Sequence, residues 1–142
     1  NSRDYLPNEK VAVIRGDACQ MGFRDSVFDV GFTLGVFMNI HPDNIGSAID
    51  EIIRVSRRYV IHIEWDQENT KSHLKEKRVF KTNIVSHDYR KLYRDRGKNI
   101  LKFATYCDFE DQFNERFQKI EKLSSWEQFE VPSKYIFVIV KL

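Results

Sequence analysis

Apolar positions in this chain fall into short runs of two kinds, and their spacing predicts the elements. Lys10-Val-Ala-Val-Ile-Arg15 is a β-branched run halted by Gly16-Asp17, which reads as a strand ending at a turn. Val27 to Gly35 is apolar on both faces apart from Asp29 and Thr33, the pattern of a central parallel strand covered by helices on each side. Pro42-Asp43-Asn44 then signals a helix start with Asp43 as N-cap, and Ile45, Ala48, Ile49, Ile52 and Ile53 make one amphipathic stripe. That helix should end near Ser56-Arg57-Arg58, where cations suit the C-terminal dipole. Tyr59 to Trp65 is the next strand, and residues 66–83 read as a long polar loop with room for a short helix. Ser86 to Arg96 is a helix stopped by Gly97, and Ile100 to Tyr106 is a strand. Residues 108–128 fit either a helix or an excursion before a last strand at Tyr135 to Val140. Strands alternating with helices indicate an α/β sheet with right-handed crossovers.

Composition narrows the class. The 142 residues fit one domain, 1–142, and the 42% apolar, 13% aromatic and 31% charged content is that of a soluble globule. The longest weakly polar run, Val30 to Ile40, is too short to span a bilayer, and no basic-then-apolar leader opens the chain. Cys19 and Cys107 are two and far apart, which reads as reduced thiols in a cytoplasmic protein. With 23 basic and 21 acidic residues the net charge is only +2, which argues against a dedicated nucleic-acid binder. The charge is uneven, however. Between Lys71 and Lys102 eleven cations face Glu76, Asp88 and Asp95, a local +8 that leaves −6 for the remainder. Such a segment is most often a solvated face and less often a phosphate or RNA surface. His73 and His87 have no ligand spacing, so no metal is expected.

The informative stretch is Gly16-Asp17-Ala18, then Met21-Gly22-Phe23, then Val27-Phe28-Asp29-Val30, then Asn39-Ile40-His41-Pro42, then Glu51-Ile52-Ile53-Arg54-Val55 and a closing strand. In this order and spacing the chain resembles the class I S-adenosylmethionine-dependent methyltransferases. The resemblance covers the middle third by motif and the rest by topology. It implies a Rossmann-like, three-layer α/β/α sheet that ends in an antiparallel strand and uses S-adenosylmethionine as cofactor.

Methyl transfer is an in-line displacement at a sulfonium, so positioning supplies most of the rate. By resemblance, Asp17 would accept a hydrogen bond from the adenine amino group, Ala18 would offer its backbone N–H, and Phe23 would line that pocket. Taken alone, Gly16-Asp17 reads more readily as a turn, and Phe28-Asp29 at the family spacing tips it to the adenine role. Thr33, Leu34 and Gly35 fall where the family's chain passes beneath the methionine moiety, and Gly35 would permit close backbone approach. Phe37 and Met38 would wall a pocket or pack in the core. Candidate acid–base residues are Asn39, His41 and Glu64. Relatives often carry His where Asn39 stands, two residues before His41, which weakens the assignment of His41 as a base and leaves it a loop or capping residue. His62 reads as a satisfied core imidazole, and Arg54 and Asp29 as structural charges. Lys71, Lys75, Lys77, Arg78 and Lys81 stand where such enzymes select their acceptor, suggesting a small anionic or sugar-like molecule. Arg58-Tyr59-Val60, Glu64 and Val79-Phe80-Lys81 resemble a subgroup linked to surface-sugar biosynthesis.

The chain departs from the family in one respect. A complete member opens with a strand, a glycine-rich loop and a second strand ending in a ribose-binding acid. None of the six glycines here forms G-x-G, and the elements map onto the family's third to seventh strands. In the family order 3-2-1-4-5-7-6, a sheet without its first two strands leaves the Val27–Gly35 strand with an open apolar edge. The expectation is therefore a C-terminal portion of a methyltransferase with weak cofactor affinity by itself, a third strand that closes the gap, or two copies pairing through the exposed edge. The alternative function is a non-catalytic dimerisation or partner-binding module; an RNA methyltransferase using Lys71–Lys102 ranks below it.

Overall fold

The computed structural model describes residues 11–65, 85–105, 108 and 135–142. The loop of residues 66–83 with its five cations, and residues 109–128, lie outside them. The elements are β1 (Phe28–Leu34), α1 (Pro42–Val55), β2 (Ser56–Trp65), α2 (Tyr89–Arg94), β3 (Asn99–Thr105) and β4 (Tyr135–Lys141). They form one sheet in the order β1-β2-β4-β3. β1 and β2 are parallel, joined by α1, and β4 runs antiparallel to both of its neighbours. This is the 4-5-7-6 half of the expected order, including the antiparallel last strand.

α1 forms where its stripe predicts. Ile45, Ala48, Ile49, Ile52 and Val55 are buried where α1 packs on β1 and β2, and the first four share one cluster with Val60, Tyr89, Tyr93, Ile136, Val138 and Val140. Burying each large aliphatic side chain contributes about 1.5–3 kcal/mol, so this face fixes the helix on the sheet. Its N-cap is His41, not Asp43: the imidazole Nδ1 accepts the Asp43 N–H at 3.3 Å, with Pro42 in the first turn. Proline's fixed φ and missing N–H suit the first helical position, so the cap is the residue before it. Gly31 permits the close approach of α1. A Cβ there would lie 2.7 Å from Ile52 Cγ1 and run into Ser56 Oγ.

Three expectations fail. Residues 11–16 form no strand, and Val11, Val13 and Ile14 are exposed. β-Propensity there meets no partner strand among the described residues, and propensity without pairing makes no sheet. β1 is not the central strand that its two apolar faces suggest: no described strand pairs with its outer side, the open edge expected of a sheet without the family's first two strands. Gly31 and Thr33 face α1, whereas Phe28, Val30, Phe32 and Leu34 point to the other face and stay 40–57% exposed. The segment at 11–16 therefore does not close the gap. α2 is shorter than Ser86–Arg96, starting behind Asp88, whose carboxylate accepts the Lys91 N–H at 2.9 Å.

Both described helices pack on one face of the sheet, giving two of the three expected layers. Among the described residues no helix is long and apolar enough to cross a membrane.

Candidate active site

Open α/β sheets bind ligands beyond the C-terminal ends of their parallel strands. Here those ends are Leu34-Gly35 after β1 and Glu64-Trp65 after β2. Gly35 has φ +62°, the left-handed region where a side chain is strained, and its N–H donates to Ile63 O at 2.9 Å. The chain then turns through a single 3₁₀ turn at Phe37–Asn39 into α1.

That turn is held from beneath by Glu64. Its carboxylate is fully buried and accepts the N–H of Val36 at 3.2 Å and of Met38 at 3.0 Å. Asn39 closes the turn on itself, its side-chain N–H₂ donating to Gly35 O at 2.9 Å. From the far side, His87 Nε2 donates to the carbonyls of Phe37 and Ile40, both at 3.1 Å, and Val85 N–H donates to Met38 O at 2.8 Å. Two carbonyl acceptors at one nitrogen place the proton there, and burial holds the His87 pKa below the ordinary value.

Below the turn lies a polar thread through the core. Thr33 Oγ1 meets His62 Nδ1 at 2.6 Å, and His62 Nε2 meets Tyr93 Oη at 2.5 Å. Burial lowers the His62 pKa to about 3, so the imidazole is neutral, one nitrogen donating and the other accepting. Phe37 and Tyr89 pack on its ring with centroids 5.2 and 4.9 Å away. The Tyr89 hydroxyl is buried with no hydrogen-bond partner among the described residues, and burial raises its pKa.

The second wall is the loop from Asp17 to Ser26. The Asp17 carboxylate accepts the Cys19 N–H at 2.8 Å, an Asx turn. Cys19 Sγ lies 3.7 Å from Asn44 O, which puts Asp17-Ala18 beside the start of α1, at the same end of the sheet as Gly35. Arg54 clamps the rest. Its guanidinium donates to Met21 O at 2.8 Å, Phe23 O at 2.7 Å, Asp25 at 2.7 Å and Glu51 at 2.7 and 2.8 Å. Glu51 in turn accepts the Met21 N–H at 2.6 Å, and the hydrogen bond from Arg54 holds its pKa down to about 2.

The structure thus brings Asp17, Ala18, Leu34 and Gly35 to one end of the sheet, and separates the other expected residues. The Thr33 side chain is buried on the helix side and bound to His62. Phe23 packs edge-on against Phe28, centroids 4.9 Å apart, at the start of β1 and on the order of 20 Å from Gly35 at about 3.3 Å per residue. Glu64 and Asn39 spend their polar atoms on the turn, and His41 is the exposed cap of α1. Asp29 pairs with Arg57, as a structural charge would. Among the described residues no group of three or more His, Cys, Asp or Glu could hold a metal ion. Sequence reading missed the roles of His87, Tyr89 and Tyr93. The i, i+4 pair Tyr89–Tyr93 was the available signal of a buried aromatic face.

What this end offers is shape: a backbone shelf at Leu34-Gly35, a carboxylate at Asp17 with an amide beside it, and a rigid turn above. Residues 1–63 match the family described as "Methyltransferase domain". The chain has the class I methyltransferase fold. A SAM-dependent methyltransferase from Aquifex aeolicus superposes with TM-score 0.59 at 13% identity, over 99% of this chain and 59% of that one. The complex between the Haloferax volcanii Trm112 methyltransferase activator and a candidate methyltransferase gives 0.69 at 14%, over 99% and 66%. The Haemonchus contortus phosphoethanolamine N-methyltransferase 2, bound to phosphomonomethylethanolamine and S-adenosylhomocysteine, gives 0.55 at 12%, over 88% and 35%. The chain therefore spans about three-fifths to two-thirds of the first two proteins. No curated protein matches the sequence.

The S-adenosylmethionine that this fold implies meets a partial fit. A Cβ on Gly35 would meet only Met38 Cε at 3.5 Å, so the shelf is open to a ligand, and Asp17 keeps a carboxylate oxygen for an amino group.

Proposed function

We propose that this chain forms part of an S-adenosylmethionine-dependent methyltransferase acting on a small anionic or sugar-like acceptor. The observation that carries the reading is the Gly35 shelf, pinned by Glu64 at the C-terminal ends of two parallel strands with Asp17-Ala18 at the same end. When bound, the cofactor supplies the electrophilic methyl group. Asp17 would accept from the adenine amino group and Ala18 N–H would donate to the ring. Leu34 and Gly35 would support the methionine end. Glu64, Asn39 and His87 hold the turn in place, and Thr33–His62–Tyr93 holds the strand end that precedes it.

No general base is assigned. Asn39 and Glu64 are committed to the backbone, and His41 stands exposed at the rim as a cap. The contribution of this chain is therefore positioning. The five cations of residues 66–83 support an anionic acceptor, as does the phosphorylated ligand of the Haemonchus enzyme.

Calorimetric titration with S-adenosylhomocysteine tests the reading. Binding to the 142-residue chain should be weak, and Asp17→Ala should weaken it further. Tight binding refutes the expected weak affinity, and binding indifferent to Asp17→Ala refutes the adenine role of Asp17.

A further inference from the structure

One buried polar group has no use in the site described so far. Tyr89, the first residue of α2, is 1% exposed, and its hydroxyl bonds to no described residue. Buried hydroxyls are nearly always paired, with protein or with ordered water, because an unpaired one loses its hydration without replacement. The two imidazoles beside the Tyr89 ring offer it nothing. His62 stacks on it with centroids 4.9 Å apart, but its two nitrogens already meet the Thr33 and Tyr93 hydroxyls. His87 commits its Nε2 to the carbonyls of Phe37 and Ile40.

Glu64 does have capacity to spare. Each of its oxygens accepts one N–H, from Val36 and from Met38, and a carboxylate oxygen can accept two. Glu64 stands two residues beyond His62 on the buried, helix-facing side of β2, toward the site. Burial is the main reason that the Tyr89 pKa is raised, and the Glu64 charge acts in the same direction, ahead of Tyr93. The carboxylate is therefore near the phenol, yet the two make no direct hydrogen bond. A donor without an acceptor and an acceptor with free lone pairs are enclosed together.

We infer that one ordered water joins the Tyr89 hydroxyl to the Glu64 carboxylate and makes Tyr89 a positioning residue for the turn above. The phenol donates to the water, and the water donates to a Glu64 oxygen, which gives the water the two polar partners that a buried site requires. Glu64 holds the Val36 and Met38 N–H groups, so a carboxylate fixed from behind keeps the turn after Gly35 in one place. Only the use of that turn as a cofactor shelf rests on the proposed function. The water does not, and its test involves no cofactor.

A crystal structure of the wild-type chain should show a water within hydrogen-bond distance of both Tyr89 Oη and a Glu64 oxygen. Tyr89→Phe removes one oxygen and keeps the ring. The Raman difference between wild type and variant should show a phenol that donates a hydrogen bond. The Val36 and Met38 amides should exchange about five-fold faster or more in the variant, beyond any change at Ile49 and Ile52 of α1. A dry Tyr89 hydroxyl, or one bonded directly to Glu64, overturns the water. A water in that place with unchanged exchange at Val36 and Met38 overturns the positioning role. The crystal structure needs no variant, so it decides the first point even if Tyr89→Phe fails to fold.

Discussion

Mild acidification should destabilise this fold, and His62 should be a main cause. Its imidazole is fully buried between the Thr33 and Tyr93 hydroxyls, and burial lowers its pKa to about 3, against about 6.5 in an unfolded chain. Below pH ~6.5 the unfolded state takes up a proton that the folded state refuses, so stability is full above that value and falls as the pH drops toward the folded pKa. One proton is worth about 1.4 kcal/mol per pH unit, so descending from about 6.5 to about 5 costs about 2 kcal/mol through His62. Burial also lowers the pKa of His87, which adds to the same slope. The paired carboxylate of Glu51, with its pKa down to about 2, loses its contribution only in more acidic solution. Urea unfolding at a series of pH values gives the slope directly. The comparison is His62→Gln, whose amide can still donate to one hydroxyl and accept from the other. The readout is a slope and not an absolute stability, so a less stable variant remains informative. The variant should lose the His62 share and keep that of His87. Equal slopes in the two proteins would show that His62 is protonated inside the fold, and the burial argument would be wrong.

Gly31→Ala should destabilise by about 1–3 kcal/mol through overpacking against Ile52 and Ser56, measured by urea unfolding; a neutral result would mean that α1 slides at little cost. Glu64→Gln exchanges a two-oxygen acceptor for a single oxygen, so the Val36 or Met38 N–H loses its partner. The expected loss is about 1–3 kcal/mol, with faster hydrogen exchange at one of those amides. Arg54→Met should leave α1 folded but release the loop, raising hydrogen exchange at Met21 while the amides of Ile49 and Ile52 stay protected. Equal loss of protection in helix and loop would contradict the clamp.

The helix α1 was readable because an apolar stripe of period 3.6 is a local property, and Ile45, Ala48, Ile49 and Ile52 are buried as the stripe demands. The strands at Tyr59–Trp65 and Tyr135–Val140 were readable for a similar reason, since both are apolar on each side and both lie inside the sheet. β1 shows the limit of that reasoning. A run apolar on both faces signals burial only if neighbours exist on both sides, and pairing is decided by distant parts of a chain. The same holds for Val11–Arg15, where the β-branched composition is real and the partner is missing. At the site, Gly35 stood out as a strand-end glycine that permits close backbone approach, and its left-handed φ became visible only in the structure. The function of Glu64 was not, because a carboxylate that binds ligand and one that binds backbone N–H look alike until the turn above it is placed. His41 took the capping role because Pro42 displaced it by two residues from Asp43, a competition between two helix-start signals that sequence alone leaves open.

The order of strands in space has a consequence for how the chain is made. β4 sits between β2 and β3, yet it follows both in the sequence, and its Tyr135 pairs with Trp65. During synthesis β1, α1 and β2 can assemble as a local unit, but the second edge of β2 stays open until residues 135–141 leave the ribosome. β3 emerges earlier with no strand to join. The strand carrying His62 and Glu64 is therefore the last part of the core to be sealed, and its unpaired interval is set by translation time. Long-range closure of this kind is slow, and strand edges that stay open during it are prone to aggregation.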